Sequence, residues 1–383
     1  MRSTILAALT LSTFALAACG GEAPPPQPPP PPPPPPVASV TAAPTPTTPP
    51  PAPPKPALSD LIPQTMKGLG DAFNAHDAQK MASYFTDDAA TYAYGEGETH
   101  SKGDVASGLQ AMFTTFPDAR SAANRVWAKG NVVIVEMTWT GTMSGDFMGM
   151  KATNKPVGAM RLHVYWFNDD GLVKELHEYG DDAGLMAQMQ GKKGAPPIPV
   201  VPTNPPEMHI AKGTPDEDKL ADWVKGTDDA FNKDDAKAVA ATLTDDADYW
   251  LNFTGMPATK GKKELTKELT AWFKTFPDQK WTQQNAWGID GFGIVEHTMT
   301  GTFKGPFGPV PPTGKAVTGW HQLDIIQPSA DGKMQHGWGY MNVVEMMQQA
   351  GALKAMGEKP APAPAPKGGA PKAPAPPPAP KKK

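Results

Sequence analysis

The chain has 383 residues, a formal net charge of −4 and a single cysteine. A charge so close to balance gives no reason to expect nucleic acid as a partner, and one cysteine excludes both an intrachain disulfide and a thiolate metal site. Between its low-complexity ends the chain is long enough for two domains of ordinary size.

The first residues have the pattern of an exported protein. Arg2 precedes an apolar run from Ile5 to Ala18, which is too short to span a bilayer as a mature helix and predicts a signal peptide over residues 1–18. The run ends in the letters LAAC at residues 16–19, which resemble the lipobox of bacterial lipoproteins. The resemblance implies that Cys19 is lipidated and anchors the protein to a membrane of the bacterial cell envelope, at the outer membrane or facing the periplasm. An ordinary secretory signal is the alternative.

Two segments of low complexity flank the central part of the chain, and both are expected to be disordered. Residues 19–57 are dominated by proline, which predicts an extended polyproline spacer that could reach on the order of 100 Å. Residues 354–383 mix alanine, proline and lysine and end in three lysines. A solvated tail is the simplest interpretation, and contact with the cell wall or with anionic headgroups is the alternative.

The central part contains the same unit twice. The letters TDDA occur at residues 86–89 and 244–247, a shift of 158 (244 − 86), and TFPD occurs at 115–118 and 275–278, a shift of 160 (275 − 115). A nearly constant shift over so long a unit indicates a duplicated domain with two residues inserted in the second copy.

We therefore predict two domains, repeat 1 at residues 58–192 and repeat 2 at residues 214–353. A proline-rich linker at residues 193–213 joins them.

Each repeat shows helical periodicity first and strand periodicity afterwards. The predicted helices of repeat 1 cover 62–73, 78–85 and 105–116, where apolar residues recur three and four positions apart. The predicted strands cover Val132–Trp139, Met160–Phe167 and Leu172–Tyr179, where apolar residues alternate. Helices followed by antiparallel strands predict an α+β domain with its helices on one face of a curved sheet.

The second half of each repeat resembles a known family. Repeat 1 reads WTGTMSGDFMGMKATNKPV from residue 139 and ELHEYGDDAGLMAQMQG from residue 175. Repeat 2 reads MTGTFKGPFGPVPPTGKAV from residue 299 and QHGWGYMNVVEMMQQAG from residue 335. These stretches resemble SnoaL-like polyketide and ester cyclases of the nuclear transport factor 2-like superfamily.

The resemblance implies a cone-shaped α+β fold with a pocket between helices and sheet. It also implies a dimer formed through the sheets, which two tandem repeats could supply within one chain as a pseudo-dimer. The family's chemistry needs no metal or organic cofactor, because an acidic residue acts as the general base.

The candidates of repeat 1 for that catalytic chemistry are Asp181 and Asp182, His177 and Glu178 on the preceding strand, and Glu136. A carboxylate suits the role if an apolar pocket raises its pKa. For Asp181 and Asp182, which precede a predicted helix, capping of that helix is the competing interpretation. Glu136 lies on a predicted strand and recurs as Glu296, but alternation does not decide whether their face points into the cone or outward.

Repeat 2 lacks equivalent acids if the shift of 160 extends to its end. Met341 and Asn342 would then correspond to Asp181 and Asp182, and neither side chain can act as a general base. Repeat 2 is therefore predicted not to be a cyclase.

A second set of aromatic, histidine and acidic side chains is a candidate set for ligand contact. Its members are Tyr179, Trp139, His163, Glu296, His321, Trp320, Trp338 and Tyr340. Core packing is the competing interpretation for the aromatic members.

The sequence contains no histidine spacing suited to a metal, no phosphate-binding loop and no nucleophile elbow. We expect an envelope-anchored lipoprotein that binds a small apolar or aromatic ligand, or a partner, without catalysis and without metal or cofactor. Two alternatives stand beside this: a cofactor-free cyclase or isomerase working from repeat 1, of the lyase or isomerase class, and a structural envelope protein.

Overall fold

The computed structural model describes residues 55–93, 97–147, 150–252, 257–307 and 310–352. The predicted signal peptide, the lipidation site Cys19, most of the proline spacer and the lysine-rich tail lie outside the described residues. From Lys55 onward, the described residues belong to one compact unit.

Repeat 1 contains the predicted helices and strands, but two further strands lie between its second and third helices, so the predicted order of all helices before the strands is wrong there. Its elements are α1 (Leu58–Asn74), α2 (Ala78–Ala82), β1 (Phe85–Ala93), β2 (Gly97–Thr99), α3 (Lys102–Thr115), β3 (Arg120–Lys129), β4 (Val132–Thr142), β5 (Pro156–Phe167), β6 (Val173–Gly180) and α4 (Asp182–Gln190). The predicted helix over 78–85 is too long, because Phe85 begins a strand that pairs with β6.

Repeat 2 has the same order after a short strand, β7 (Glu207–Ile210), in the linker. Its elements are α5 (Pro215–Lys225), α6 (Thr227–Phe231), α7 (Ala236–Ala241), β8 (Leu243–Asn252), β9 (Thr259–Lys260), α8 (Lys262–Thr275), β10 (Lys280–Ile289), β11 (Phe292–Thr302), β12 (Ala316–Pro328), β13 (Met334–Met341) and α9 (Val343–Gln349). A capping box between Thr214 and Glu217 begins α5. The single α1 of repeat 1 corresponds to the two helices α5 and α6, which meet at Gly226.

Each repeat has one sheet, so both are α+β domains as predicted. The strand orders are β2-β1-β6-β5-β4-β3-β7 and β10-β11-β12-β13-β8-β9. Neighbouring strands are antiparallel except for β1 with β6, β8 with β13, and β7 with β3. The linker strand β7 thus extends the sheet of repeat 1.

The two faces of each sheet pack against different partners. Val133 and Val135 of β4 belong to a core that includes residues of α1 and α3. The intervening Ile134 is fully buried in another core, which contains Ile294 of the second repeat. One face of each sheet therefore covers its own helices, while the other covers the sheet of the other repeat.

One additional residue in β12 changes the correspondence between the repeats. Met299 is opposite Trp320 and Thr300 is opposite Thr318, so Gly319 bulges out of the ladder with φ at +107°. Glycine tolerates this positive φ without strain from a Cβ. Beyond Gly319 the shift is 161, as the positions opposite Glu136 and Glu296 show: they are Leu162 and Leu323.

The assumption of a constant shift of 160 is therefore wrong at the end of the unit. Asp181 corresponds to Asn342, since both cap the helix that ends the repeat. Asp182 corresponds to Val343, and His177 corresponds to Trp338. Repeat 2 still has no carboxylate at either aspartate position.

Candidate functional site

Glu136 and Glu296 lie in the contact between the repeats. They are 3% and 1% exposed, and each accepts a hydrogen bond from a tyrosine of the other repeat. Tyr179 donates to Glu296 at 2.8 Å, and Tyr340 donates to Glu136. Because Tyr179 and Tyr340 occupy corresponding positions, the contact is reciprocal, as in a two-fold dimer.

The positive charge beside each of the two glutamates comes from a different type of residue. Arg125 Nε donates to Glu136 Oε1 at 3.1 Å, whereas the corresponding residue of repeat 2, Asn285, is neutral and donates to Glu296 at 2.8 Å. On this second side His177 Nδ1 lies 3.0 Å from Glu296 Oε1. An imidazolium can neutralise Glu296 where an arginine neutralises Glu136.

The surroundings of His177 favour its charged form. Burial alone would lower the pKa of His177, but the hydrogen bond to Glu296 and the charges of Glu296 and Glu175 outweigh burial and raise the pKa. Nε2 of His177 lies 2.9 Å from Glu175 Oε1. The two ring nitrogens are thus both held by carboxylates.

Trp338, a predicted ligand contact, packs over the buried pair of Glu136 and Arg125. The guanidinium carbon of Arg125 lies 4.2 Å from the centroid of the Trp338 ring, which is a cation–π distance. Glu136, Arg125, Tyr340 and Trp338 therefore form one cluster that joins the repeats.

The two candidate aspartates have structural partners. Asp181 caps α4 and accepts from Gly184 N at 2.8 Å. Asp182 is 2% exposed, accepts from Arg161 Nη2 at 2.7 Å and also accepts from Asn342 of repeat 2. Asp182 is thus part of the contact between α4 and α9.

The inner face of the repeat 1 sheet holds a different set of polar groups. His163 Nδ1 lies 3.0 Å from the hydroxyl of Tyr165, and His163 Nε2 lies 3.4 Å from Glu178 Oε2. Burial, followed by the charge of Glu178, raises the pKa of Tyr165. His163 was a predicted ligand contact, and Glu178 was named with His177 as a catalytic candidate. Strand alternation on β5 and β6 places both on this face, since His163 shares a face with buried Tyr165 and Glu178 shares one with buried Leu176.

The inner face of repeat 2 holds a buried histidine that sequence reasoning missed. His297 Nδ1 lies 2.9 Å from Asp228 Oδ1 and its Nε2 lies 3.0 Å from Asp324 Oδ2. Tyr249 donates to Asp324 at 2.6 Å. Burial alone would lower the pKa of His297, but the hydrogen bonds and charges of the two aspartates raise it to about 9. The available signal was again alternation, because His297 lies between inward-facing Val295 and Met299 on β11.

Tryptophans fill the space between helices and sheet in repeat 2. Trp320 is fully buried, donates to the carbonyl of Asn342 at 2.9 Å, and packs with Trp272 and Trp281 at centroid distances of 5.8 and 6.3 Å. The corresponding positions of repeat 1 hold the smaller residues Met112, Ser121 and Ala159. A ligand could reach Trp320 only if this cluster rearranged.

Trp139 packs in repeat 1 much as Trp320 packs in repeat 2. It is buried in a core with Phe113 and Leu185, and its ring meets that of Phe116 edge-on at a centroid distance of 5.0 Å. The predicted aromatic ligand contacts Trp139 and Trp320 thus lie in the cores of the repeats.

Two clefts on the described surface have the volume of a small-molecule site. One, of about 770 Å³, lies between α2 and α3 and is lined by Gln79, Lys102 and Gln110 among others; it contains none of the candidate residues. The second, of about 660 Å³, lies between the repeats and includes His177 and His321. His321 Nδ1 lies 2.8 Å from Glu345 Oε1. Two of the candidate residues, His177 and His321, thus line this joint cleft.

Metal and membrane features were sought in the described part of the chain. No group of three or more His, Cys, Asp or Glu side chains there is arranged to hold a metal ion. Within the same ranges, no helix has both the length and the apolar character needed to cross a bilayer.

The family model described as SnoaL-like polyketide cyclase matches residues 64–189 and 221–350, which together exceed half of the chain. The chain belongs to the SnoaL-like family. One matched segment lies within each repeat, which confirms the resemblance seen in the sequence.

Several solved structures each match about one third of the chain. A candidate SnoaL-like polyketide cyclase from Jannaschia sp. CCS1 is 16% identical, covers 37% of this chain and 100% of its own, and has a TM-score of 0.34. IdmH, a candidate polyketide cyclase from Streptomyces antibioticus, is 24% identical over 34% of this chain and 98% of its own, with a TM-score of 0.31. A candidate polyketide cyclase from Xanthomonas campestris is 18% identical over 35% of this chain and 99% of its own, with a TM-score of 0.33. No curated protein matches the chain.

Proposed function

We propose that this protein is an envelope-anchored lipoprotein whose two SnoaL-like repeats form an intrachain pseudo-dimer that binds a small ligand without catalysis. One observation carries the proposal: four of the predicted catalytic side chains, Asp181, Asp182, His177 and Glu136, are each held by a structural partner. Glu136 pairs with Arg125 and Asp182 with Arg161. A general base must instead present a free lone pair to the substrate.

The remaining two candidates fit the same pattern. Asp181 satisfies a backbone N–H at the start of α4, and His177 lies between the carboxylates of Glu296 and Glu175. Removing any of the four would disturb folding or the contact between the repeats, which explains their presence without a reaction.

The joint cleft is the proposed ligand site. Residues of both repeats line it, so its shape depends on the reciprocal Tyr179–Glu296 and Tyr340–Glu136 bonds. Its volume of about 660 Å³ is within the usual range for small-molecule sites. Trp139 and Trp320, the predicted aromatic ligand contacts, lie in the cores of the repeats. The joint cleft is polar and open, and it is therefore the better candidate for a ligand site.

Anchoring at Cys19 is proposed from the sequence alone. The LAAC letters end an apolar run of signal-peptide length, and a proline spacer follows. Together they would hold the paired repeats away from a membrane of the envelope.

The test of binding is native mass spectrometry of the full chain, purified in detergent from its own host. We expect one small molecule to be retained per protein chain. An empty spectrum, together with no thermal shift across a library of amines, aromatic acids and lipids, would favour a structural envelope protein instead.

A second candidate function is acid–base catalysis in repeat 1, which the contact of His163 with both Tyr165 and Glu178 favours. An imidazole beside a carboxylate can remove a proton next to a carbonyl. The test is deuterium exchange into a panel of β-keto esters, followed by NMR. Exchange that is lost in Glu178→Gln and retained in Asp182→Asn would support catalysis, and exchange no faster than in buffer would reject it.

A further inference from the structure

The linker between the repeats carries exposed apolar side chains. Of the described residues, four have large hydrophobic side chains that are exposed, and all four lie in the linker: Ile198, Val200, Met208 and Ile210. Met208 and Ile210 are neighbours on one face of β7, with 54% and 50% of their surface exposed. Apolar side chains exposed side by side, rather than singly, are typical of an interaction surface.

The strand β7 has one paired edge and one open edge. It is paired with β3, and none of the described strands lies on its other side. The backbone N–H of Ala211 donates to the carbonyl of Ala128 at 2.8 Å. Because successive residues of a strand point their N–H and C=O groups to opposite edges, those of His209 also face β3, whereas those of Met208 and Ile210 face the open edge.

Contacts to both repeats hold β7 in place. His209 is the buried residue between the two exposed apolar ones, and its ring stacks on that of Trp127 of repeat 1 with 5.5 Å between centroids. Its Nδ1 lies 3.2 Å from Asp290 Oδ2 of repeat 2. The strand is therefore ordered before any partner binds, which lowers the entropic cost of association.

The other ends of the two sheets are short or covered. The end strands β2 and β9 have three and two residues. On β10, the side-chain amide of Asn232 bonds to the N–H and to the C=O of Trp281 at 2.7 and 3.0 Å, and Lys129 donates to the carbonyl of Gly288. Short and covered edges are usual protection against pairing with another chain. The edge of β7 instead presents two apolar side chains.

The sequence of β7 is complementary to itself in an antiparallel arrangement. When the two copies of His209 lie opposite each other, Met208 of each strand lies opposite Ile210 of the other. These are the residues whose backbone groups face outward, so each such pair can exchange two hydrogen bonds. The same register brings the apolar side chains into direct cross-strand contact. It therefore satisfies the outward groups of both residues in both strands.

We propose that two copies of this protein associate through β7, in antiparallel register about a two-fold axis at His209. The repeat 1 sheets of the two copies then form one continuous sheet, and the contact is isologous. A second copy of β7 fits the open edge because it complements both the backbone groups and the side chains. The interface is short, so the dimer is weak and reversible. This association is independent of ligand binding in the joint cleft.

The first test is sedimentation equilibrium of the full chain carrying Cys19→Ser, which prevents lipidation, from about 1 μM to about 1 mM. The mean molar mass rises from one chain toward two over this range. Ile210→Pro removes an outward N–H and no bond to β3, so it keeps β7 and weakens the dimer about tenfold or more. The matched control Val200→Pro, at another exposed linker residue, dimerises like its parent. Circular dichroism checks that both variants are folded.

The second test is disulfide formation, which reports on the register. In the Cys19→Ser chain an introduced cysteine is the only one. The proposed register separates the Cα atoms of Met208 and its opposite Ile210 by about 5.5 Å, which a disulfide can bridge. Under mild oxidation, a mixture of Met208→Cys and Ile210→Cys chains forms covalent dimers faster than either variant alone. A mixture of Met208→Cys and Val200→Cys chains does not.

Three results would overturn the proposal. The first is a parent chain that remains monomeric at about 1 mM, which would leave the edge to a strand of a different protein. The second is a dimer that Ile210→Pro leaves intact, because another surface would then hold the two copies together. The third is a mixture of Met208→Cys and Ile210→Cys chains that crosslinks no faster than each variant does by itself.

Discussion

His297 should make the stability of repeat 2 depend on pH. Its imidazole is fully buried between Asp228 and Asp324, with one ring nitrogen 2.9 Å from the first carboxylate and the other 3.0 Å from the second. These contacts outweigh burial and raise the pKa of His297 from 6.5 to about 9. The folded chain therefore holds this proton more tightly than the unfolded chain does.

The sign and size of the effect follow from that pKa. A pKa that rises from 6.5 to about 9 corresponds to about 3 kcal/mol of folding free energy. This contribution is fully present below pH 6.5, decreases as the pH rises, and is lost above about pH 9. His177, whose pKa is also raised, adds an effect of the same direction.

The assay is urea unfolding on both sides of this pH window, followed by tryptophan fluorescence. Trp281, whose ring lies 4.6 Å from that of His297, reports on the same core. Below this pH window, the free energy of unfolding of His297→Gln should be about 3 kcal/mol lower than that of the wild type. Above the window, the two should be nearly equal. His336→Gln, which changes a partly exposed histidine of the same repeat, should keep the wild-type profile.

A difference between the wild type and His297→Gln that does not change with pH would refute this reasoning. Because a variant at a buried site can fail to fold, the imidazole of His297 should also be titrated directly by NMR in the wild type. A midpoint near 6.5 would refute it as well.

Three further substitutions test the contacts described above, each measured as the free energy of unfolding in urea. Tyr340→Phe removes the hydroxyl that donates to buried Glu136 and should cost about 1–3 kcal/mol. Arg161→Met leaves the carboxylate of Asp182 buried without its cation and should cost about 3–5 kcal/mol. Gly319→Val places a β-branched residue at a φ of +107° and should cost about 1–3 kcal/mol through backbone strain alone, since no atom lies within 4 Å of the added Cβ.

Each of these substitutions is compared with a second variant, which is the reciprocal change for Tyr340→Phe and a control for the other two. Tyr179→Phe removes the reciprocal hydroxyl and should cost about as much as Tyr340→Phe. Lys67→Met breaks an exposed pair with Asp71 and should change stability by less than about 0.5 kcal/mol. Gly108→Ala, in α3 with open space around its Cβ, should stabilise by up to about 1 kcal/mol. If Tyr340→Phe or Arg161→Met cost no more than Lys67→Met, the contact between the repeats would not be the stabilising element we describe.

The duplication and the fold class could be predicted because they depend on local features. Identical motifs at nearly constant shifts reveal a duplicated domain, and periodicity changes from helix to strand within each unit. The strands over 132–139, 160–167 and 172–179 were found because apolar alternation is strong there. Strands β1 and β3 were missed, since their alternation is interrupted by polar residues and by bulges at Phe85–Ala90 and Ala123–Arg125.

The correspondence of the last strands could not be predicted from motif shifts. A single inserted residue at Gly319 moves the later positions of β12 and β13 by one, and the only identical stretch near them, Asp-Gly at residues 170–171 and 331–332, is too short to establish a new shift. Only the pairing of β11 with β12 shows the bulge. Once it is placed, Tyr340 corresponds to Tyr179 and the reciprocal bonds to the two glutamates become visible.

The sequence by itself determined that two related α+β domains follow each other, and it singled out Glu136 and Glu296 but not their neighbours Arg125 and Asn285. It could not say which face of a strand meets which neighbour. In β4 the residues on both faces are buried, Val133 and Val135 on one side and Ile134 on the other, so the polar alternation that normally marks the outer face is absent. The tertiary structure decided that Glu136 and Glu296 face the other repeat, because each sheet is covered by helices on one side and by a second sheet on the other.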